Sequence, residues 1–517
     1  MLNRLVPALL LVLAGCPRSG SSTGELRIEV DTSSDVHPIS PLIYGTNSSE
    51  PGTTRYGLLR LGGNRLTAYN WENNASNAGS DWHYQNDGLL SQSDVPGAAL
   101  AAHLEKAHAL GAATLLTVPI VDHVSADKGQ DGDVRQSGPD YLQKRFRRNV
   151  AKKPGPFAAT PDLTDDAVYQ DEMVAWVKAN FGERRVLFSL DNEPELWSHT
   201  HAEVHPKKVE YDELCTRNAT FGEAVKRAWP EAEVTGFVSY GWNGFKSLQE
   251  APDRAGKGEF LDHWLDCMKA AEAKAGRRVV DYLDVHWYPE ATGGGIRVAG
   301  EETGAEVVAA RLQAPRSLWD PGYVEKSWVA GRFLPKALKL IPSLKARIKD
   351  HYPGTRLAIT EWNYGASSSI SGALATADVL GVFGREGVDL AAWWPLVKEN
   401  DFALAAFLAY RDFDGQGGTF GDTSVKATSS DVEAVTVYAA TQTGADRLTI
   451  IAINKTQSAR PVQLSVKHSK QFPLLRAARL GAEAARMAAA ADVPSAGGNV
   501  FSTQLPPMSI TVLWSPP

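Results

Sequence analysis

A mixed α/β architecture is what this sequence predicts: a (β/α)₈ TIM barrel followed by a smaller all-β sandwich. Three observations carry the expectation. Short apolar runs alternate with helix-period segments as far as residue 411. Beyond that point, strand-like runs follow one another with only turn residues between them. The chain has 517 residues, 43% of them apolar, which is enough to bury a large core and a second small domain.

In chain order, residues 1–16 read as a lipoprotein signal. Arg4 precedes an apolar run, Leu5 to Leu13, that is too short to span a bilayer. It ends in Leu13-Ala14-Gly15-Cys16, which resembles a bacterial lipobox and implies cleavage before Cys16 with a lipid on its sulfur. Residues 17–24 are a Ser/Gly tether. ELRIEV (25–30), within 25–40, has the character of a first sandwich strand. The barrel is assigned to 41–411. Its eight strands are LIYG (42–45), GLLRLG (57–62), ATLLTVPI (113–120), RVLFSL (185–190), EVTGFVS (233–239), VDYLDVHW (280–287), RLAIT (356–360) and VDLAAWW (388–394).

Between most of these runs lie helix-period segments, at 96–111, 165–182, 209–229 and 259–276. Gly111, Gly182 and Gly276 are placed to stop three of them. Strands alternating with helices imply parallel neighbours, since parallel pairs need crossover connections. The connection 47–56 is too short for a helix, and 291–350 is a long insertion before the seventh strand. In 412–517, the runs 432–440, 447–454, 461–466 and 508–514 read as antiparallel strands. The Ala-rich stretch 477–491 reads as either a short helix or a loop.

Composition excludes some partners. A net charge of −7 gives no case for nucleic acid, and KRFRR at 144–148 is too short to change that. The chain is expected to be an exported monomer, either a lipoprotein that meets the membrane only through its lipid anchor, in the periplasm or at the cell surface, or a secreted protein. Cys215 and Cys267 lie in helix-like segments and are expected to be two buried free thiols. No C-x-x-C or H-E-x-x-H pattern calls for a catalytic metal. The 14 Trp residues include several in polar contexts, as sugar-binding clefts use.

Two glutamates follow strand ends: Glu193 in LFSLDNEPELW (187–197) and Glu361 in LAITEWNYG (357–365). Catalytic groups in such barrels sit at the C-terminal ends of strands, so both would face one mouth. Two carboxyls about 5–5.5 Å apart suit retaining cleavage of a glycosidic bond, with one donating a proton and the other attacking the anomeric carbon. At that spacing and an effective dielectric near 20, their repulsion is roughly 3 kcal/mol, so one of them should keep its proton near neutral pH. Which one does so is open at this level.

Asn192-Glu193-Pro194 after strand four and Glu361 after strand seven resemble the clan of retaining (β/α)₈ glycosidases. The resemblance narrows to glycoside hydrolase family 44 on RLGGNRLTAYNWENNASNAGSDW (60–82), SLDNEPELW (189–197), DVHWYPE (284–290), LWDPGYVEKSW (318–328), ITEWNYG (359–365) and FGDTSV (420–425). It implies endo-acting cleavage of β-1,4-glucans, with xyloglucan among further substrates. It makes Glu193 the acid/base and Glu361 the nucleophile. Asn192 would bond the sugar 2-hydroxyl, Arg60 would hold the nucleophile ionised, and His286 and Tyr288 would flank the reacting ring. Trp394 would stack on the sugar beside the scissile bond, with Trp393 its competitor because strand neighbours face opposite ways. Trp71, Trp319 and Trp328 are candidates for outer subsites.

No cofactor is expected for catalysis. At the oxygen-rich loop 70–81 the resemblance implies a structural calcium site, with Glu72 and Asp165-Asp166 as first guesses; the other reading is a hydrogen-bonded loop that positions Trp71. Asp191 and Glu195 are expected to be structural hydrogen-bonding groups, and His286 has a structural strand-end reading as well. The alternatives in function are a β-mannanase or xylanase on the same barrel, and a glycan-binding lipoprotein without hydrolytic activity.

Overall fold

The structure, a computed structural model, describes residues 25–332 and 336–516. The signal, lipobox and tether at 1–24 lie outside the described residues. Eight parallel strands close into a barrel in sequential order: Gly45–Thr46, Leu58–Leu61, Ala113–Val118, Val186–Leu190, Glu233–Ser239, Tyr282–Trp287, Arg356–Trp362 and Leu390–Trp393. The first is the shortest. Of the run 42–45, Pro41–Ile43 forms a 3₁₀ turn and pairing begins only at Gly45, because a proline and an N-cap serine open a turn there. No helix separates it from the second strand. Inside the barrel, Leu58, Leu115, Leu187, Tyr282, Ala358 and Leu390 pack together below the mouth.

The helical segments form where periodicity places them, at Ala98–Ala109, Gln170–Phe181, Tyr211–Ala228 and Phe260–Ala275. Glu210 and Glu213 make a reciprocal capping box at the start of the third. Gly111 and Gly276 take the left-handed conformation that ends a helix, while Gly182 stays right-handed. Cys215 and Cys267, on the last two of these helices, form a disulfide. This corrects the free-thiol expectation. Packing the two helices side by side brings the Cα atoms to 6.0 Å, within bridging range, which a separation of 52 residues in sequence does not reveal.

The insertion 291–350 is tied to the loop after the seventh strand by Arg311. Its buried guanidinium donates to the carbonyls of Val298, Gly300, Glu302 and Tyr364. The sandwich adds Leu26–Asp31 to the strands of the tail, where it lies antiparallel to Thr423–Ser429 and parallel to Arg460–Lys467. The Ala-rich stretch is neither helix nor loop: Leu474–Gly481 and Ala484–Pro494 form an antiparallel hairpin. The helix preference of alanine amounts to tenths of a kcal/mol per residue, and pairing with Ser509–Trp514 outweighs it. Asp378 fastens the sandwich to the barrel. It accepts from Thr436 and Tyr438, each at 2.6 Å, and pairs with Lys455 at 2.6 Å, all of them buried.

Candidate active site

Arg60 organises the mouth. Its guanidinium donates to Glu361 Oε1 at 2.8 Å, to Asn192 Oδ1 at 2.8 Å and to Asn47 Oδ1 at 2.9 Å. Ends of the first, second, fourth and seventh strands are thereby cross-linked by one cation. The RLGG sequence explains how it fits. A Cβ at Gly62 would collide with the guanidinium, and one at Gly63, whose φ is +91°, would stand 2.6 Å from Trp394 Cη2. Asn47 was not singled out in the sequence. It is a polar residue just past a strand end, the same signal that marks the glutamates.

Glu361 also accepts from Tyr288 Oη at 3.0 Å. His286 Nδ1 lies 2.8 Å from Glu193 Oε1 and 3.5 Å from Glu361 Oε2. One carboxylate oxygen from each glutamate lies within 4.8 Å of the other and of a His286 nitrogen. Burial lowers the His286 pKa to about 4, so the imidazole is neutral near pH 7 and adds no positive charge beside Glu193. The Glu193 pKa is raised to about 7, first by burial, against the Arg60 charge and with a further push from Asp81. Loss of hydration is the leading cause of the upward shift at Glu193. The expected repulsion within the pair is not the leading cause, because the guanidinium already sits on Glu361.

Glu193 sits at φ 45° and Asp191 at φ 67°, both left-handed and both without glycine's freedom. The surroundings over-determine this turn. Asp191 accepts from Thr67 Oγ1, Ile120 N and Asn192 N, while Glu193 N donates to the carbonyl of Val238. Glu195 turns away from the mouth and accepts from Ser239 Oγ and Tyr240 N. Asp191 and Glu195 thus make structural hydrogen bonds.

The aromatic candidates separate. Trp394 is half-buried at the mouth, held by Asn363 Nδ2 on its carbonyl at 2.7 Å. Trp393 points the other way, is fully buried and packs on Phe407. Trp328 is exposed and donates to Glu290 in the loop after strand six. Trp71 is not a subsite: it is fully buried and packs against Trp176 in the core, because the loop 70–81 folds inward through Asn70 and Asn74. Trp319 lies away from the mouth, at the seam with the sandwich, under the Arg385 guanidinium at 3.9 Å. Its position in the insertion gave no sign of which end of the barrel it would join.

Asp166 is at the surface, paired with Arg148 at 3.0 Å. The Glu72 pKa is raised to about 8, first by burial and then by the charges of Asp165 and Glu172.

A profile of glycoside hydrolase family 44 matches residues 75–291. Endoglucanase A of Paenibacillus lautus is 39% identical over 510 residues, which is 95% of this chain and 72% of that protein. The chain belongs to glycoside hydrolase family 44. Beta-mannanase/endoglucanase A of Caldicellulosiruptor saccharolyticus is 37% identical over 513 residues, and the chain spans 38% of its length. Among solved family 44 structures, a Paenibacillus polymyxa xyloglucanase with xyloglucan superposes with a TM-score of 0.91. It is 39% identical, over 95% of this chain and 99% of that one.

Proposed function

We propose that this family 44 enzyme is a retaining endo-β-1,4-glucanase, with xyloglucan among its substrates, in which Glu361 is the nucleophile and Glu193 the acid/base. The observation that carries the mechanism is the spacing. Carboxylate oxygens within 4.8 Å at one barrel mouth match a double displacement and fall short of the roughly 6.5–9.5 Å that leaves room for an inverting water. The relatives named as endoglucanase and xyloglucanase support the substrate class over mannan or xylan alone.

In the first step a Glu361 oxygen attacks the anomeric carbon, the glycosidic bond breaks, and the Glu193 proton passes to the leaving oxygen. Water then gives its proton to the Glu193 carboxylate and attacks the same carbon, which releases Glu361. Arg60 and Tyr288 hold the nucleophile by both oxygens. Neutral His286 holds Glu193 at 2.8 Å without drawing its proton away electrostatically. Arg60 occupies Asn192 Oδ1, so the amide nitrogen is the end left to meet the sugar 2-hydroxyl. Trp394 stacks on the adjacent ring.

Two further readings complete the proposal. The chain is an exported monomer anchored through a lipid on Cys16; among the described residues no helix is long and apolar enough to cross a membrane. A structural calcium ion near Glu72 and Asp165 is the other, with the buried Glu172 adding its charge there. The buried Glu172 Oε2 has no hydrogen-bond partner among the described residues, and an all-oxygen donor set suits a hard cation. Lys153, 2.5 Å from Glu172 Oε1, offsets part of the negative charge.

The deciding experiment follows early products on a β-1,4-glucan by NMR, in the wild type and in Glu361→Gln. β-Anomers and a loss of turnover of at least about a thousandfold are expected, since an amide is a poor nucleophile. Initial α-product would overturn the mechanism.

A further inference from the structure

The helices Tyr211–Ala228 and Phe260–Ala275 pack side by side, and each presents two residues with metal-binding chemistry at their meeting. Asp212 and Cys215 are three apart on the first, and His263 and Cys267 are four apart on the second, so each pair shares one helix face. The disulfide accounts for the two cysteines. It does not account for the imidazole and carboxylate beside them. His263 Nε2 lies 4.0 Å from Cys267 Sγ and 3.3 Å from Asp212 Oδ1. One His263 nitrogen and the two sulfurs all lie within 4.8 Å of one another.

These separations match the edges of a tetrahedral metal site. Zinc bonds of about 2.3 Å to sulfur and about 2.1 Å to nitrogen or oxygen give edges of about 3.8 Å (S to S), about 3.6 Å (S to N) and about 3.4 Å (N to O). The 4.0 Å and 3.3 Å contacts are close to the last two. Only the sulfurs are nearer than such an edge, because a covalent bond joins them. Once that bond is broken, rotation about the two Cα–Cβ bonds parts them, with the Cα atoms still 6.0 Å apart.

The donor chemistry agrees with the geometry. Two thiolates and an imidazole are the soft set that selects zinc over calcium or magnesium. With the Asp212 carboxylate they outweigh a divalent ion by one negative charge, and Lys257, 2.7 Å from Asp212 Oδ2, offsets it and leaves Oδ1 toward His263. Access is available as well: Cys215 is buried, but Cys267 and His263 are half-buried and Asp212 is exposed.

We propose that Cys215, Cys267 and His263, with Asp212 at the fourth position, form a site for zinc or a similar divalent ion that opens when the disulfide is reduced. An incoming dithiol gives two electrons and two protons to the S–S bond and leaves as a disulfide. The ion then displaces the two thiol protons as it binds. Oxidation reverses both steps: an incoming disulfide takes up two electrons and two protons, the Cys215–Cys267 bond re-forms and the ion leaves. The two helices are therefore cross-linked in either state, by a covalent bond or by a metal. The site shares no residue with Glu193, His286 and Glu361 and does not depend on the glucanase reading.

The test uses the full chain carrying Cys16→Ser, in which Cys215 and Cys267 are the only cysteines. It is reduced with a phosphine, freed of reductant under argon and titrated with Co(II), then with Zn(II). The reduced chain should bind Co(II) with a thiolate-to-metal charge-transfer band and the intense visible bands of a four-coordinate ion, and Zn(II) should remove both. The oxidised chain and a Cys215→Ser/Cys267→Ser chain should show neither. Cobalt bound at Glu193, His286 and Glu361 has no sulfur and cannot give the charge-transfer band. His263→Ala should weaken Co(II) binding by more than about tenfold, and Asp212→Asn by a smaller factor. Absence of the band in the reduced chain, or unchanged affinity in either variant, would overturn the site. Loss of the native circular dichroism on reduction that zinc does not restore would overturn it equally.

Discussion

Replacing Glu193 by glutamine should stabilise the protein, and only above a certain pH. The Glu193 carboxyl titrates near pH 7 in the folded chain against an ordinary value of 4.5, with burial as the main cause. Below pH 4.5 it is protonated both folded and unfolded and contributes nothing. Between the two values the unfolded chain has released the proton and the folded chain has not, so stability falls as pH rises. Above pH 7 the full cost is present. The shift corresponds to roughly 3 kcal/mol as a ceiling.

About a fifth of the side chain is open to solvent at the mouth (22% exposed), and water there reduces the cost, so about 1–2 kcal/mol is the working expectation. Glutamine keeps the shape and still accepts from His286, but never ionises. Guanidinium denaturation of both proteins at pH 4.5 and pH 8 measures the difference. The advantage of Glu193→Gln should grow by about 1–2 kcal/mol between those pH values, while its turnover of polymer is lost. A difference that does not change with pH, or a variant less stable than the wild type at pH 8, would show that burial is not what raises this group. The same titration predicts that polymer cleavage by the wild type declines as pH rises through about 7, because the acid is then lost.

The remaining expectations concern the two tryptophans, the cation and the anchor. Trp394→Ala should lower kcat strongly, since its sugar is the one distorted at the reacting bond. Trp71→Ala, by contrast, should leave KM nearly unchanged and cost about 3–5 kcal/mol in denaturant unfolding, as for a large buried ring. A chelator should lower the Tm by several degrees and added calcium should restore it, with Glu72→Gln abolishing the response; a chelator-insensitive Tm in the wild type would dismiss the calcium site. Cys16→Ser should move the enzyme from the membrane fraction to the soluble one with activity retained, and continued membrane association of the processed variant would argue against the lipid anchor.

Strand-forming runs, helix periodicity and strand-end polar residues are local properties, and the sequence by itself determined what depends on them. The alternation of apolar runs placed eight strands in order. Glu193 and Glu361 stood out because each is a carboxyl where a short apolar run gives way to a polar, aromatic segment. Trp394 could be separated from Trp393 only as a pair, because alternation gives opposite faces without saying which face is the mouth.

Tertiary structure decided the features that depend on distant partners. Whether Cys215 meets Cys267 depends on how two helices pack. Whether Ala477–Ala491 forms strands depends on the presence of Ser509–Trp514 to pair with. Trp71 was assigned to a subsite and lies in the core, while Trp82, in the same motif, stands in solvent; eleven positions along one loop share a composition but not a direction. The surroundings of the two carboxyls followed the same rule: folding placed the Arg60 guanidinium on Glu361 and left Glu193 beside a neutral histidine.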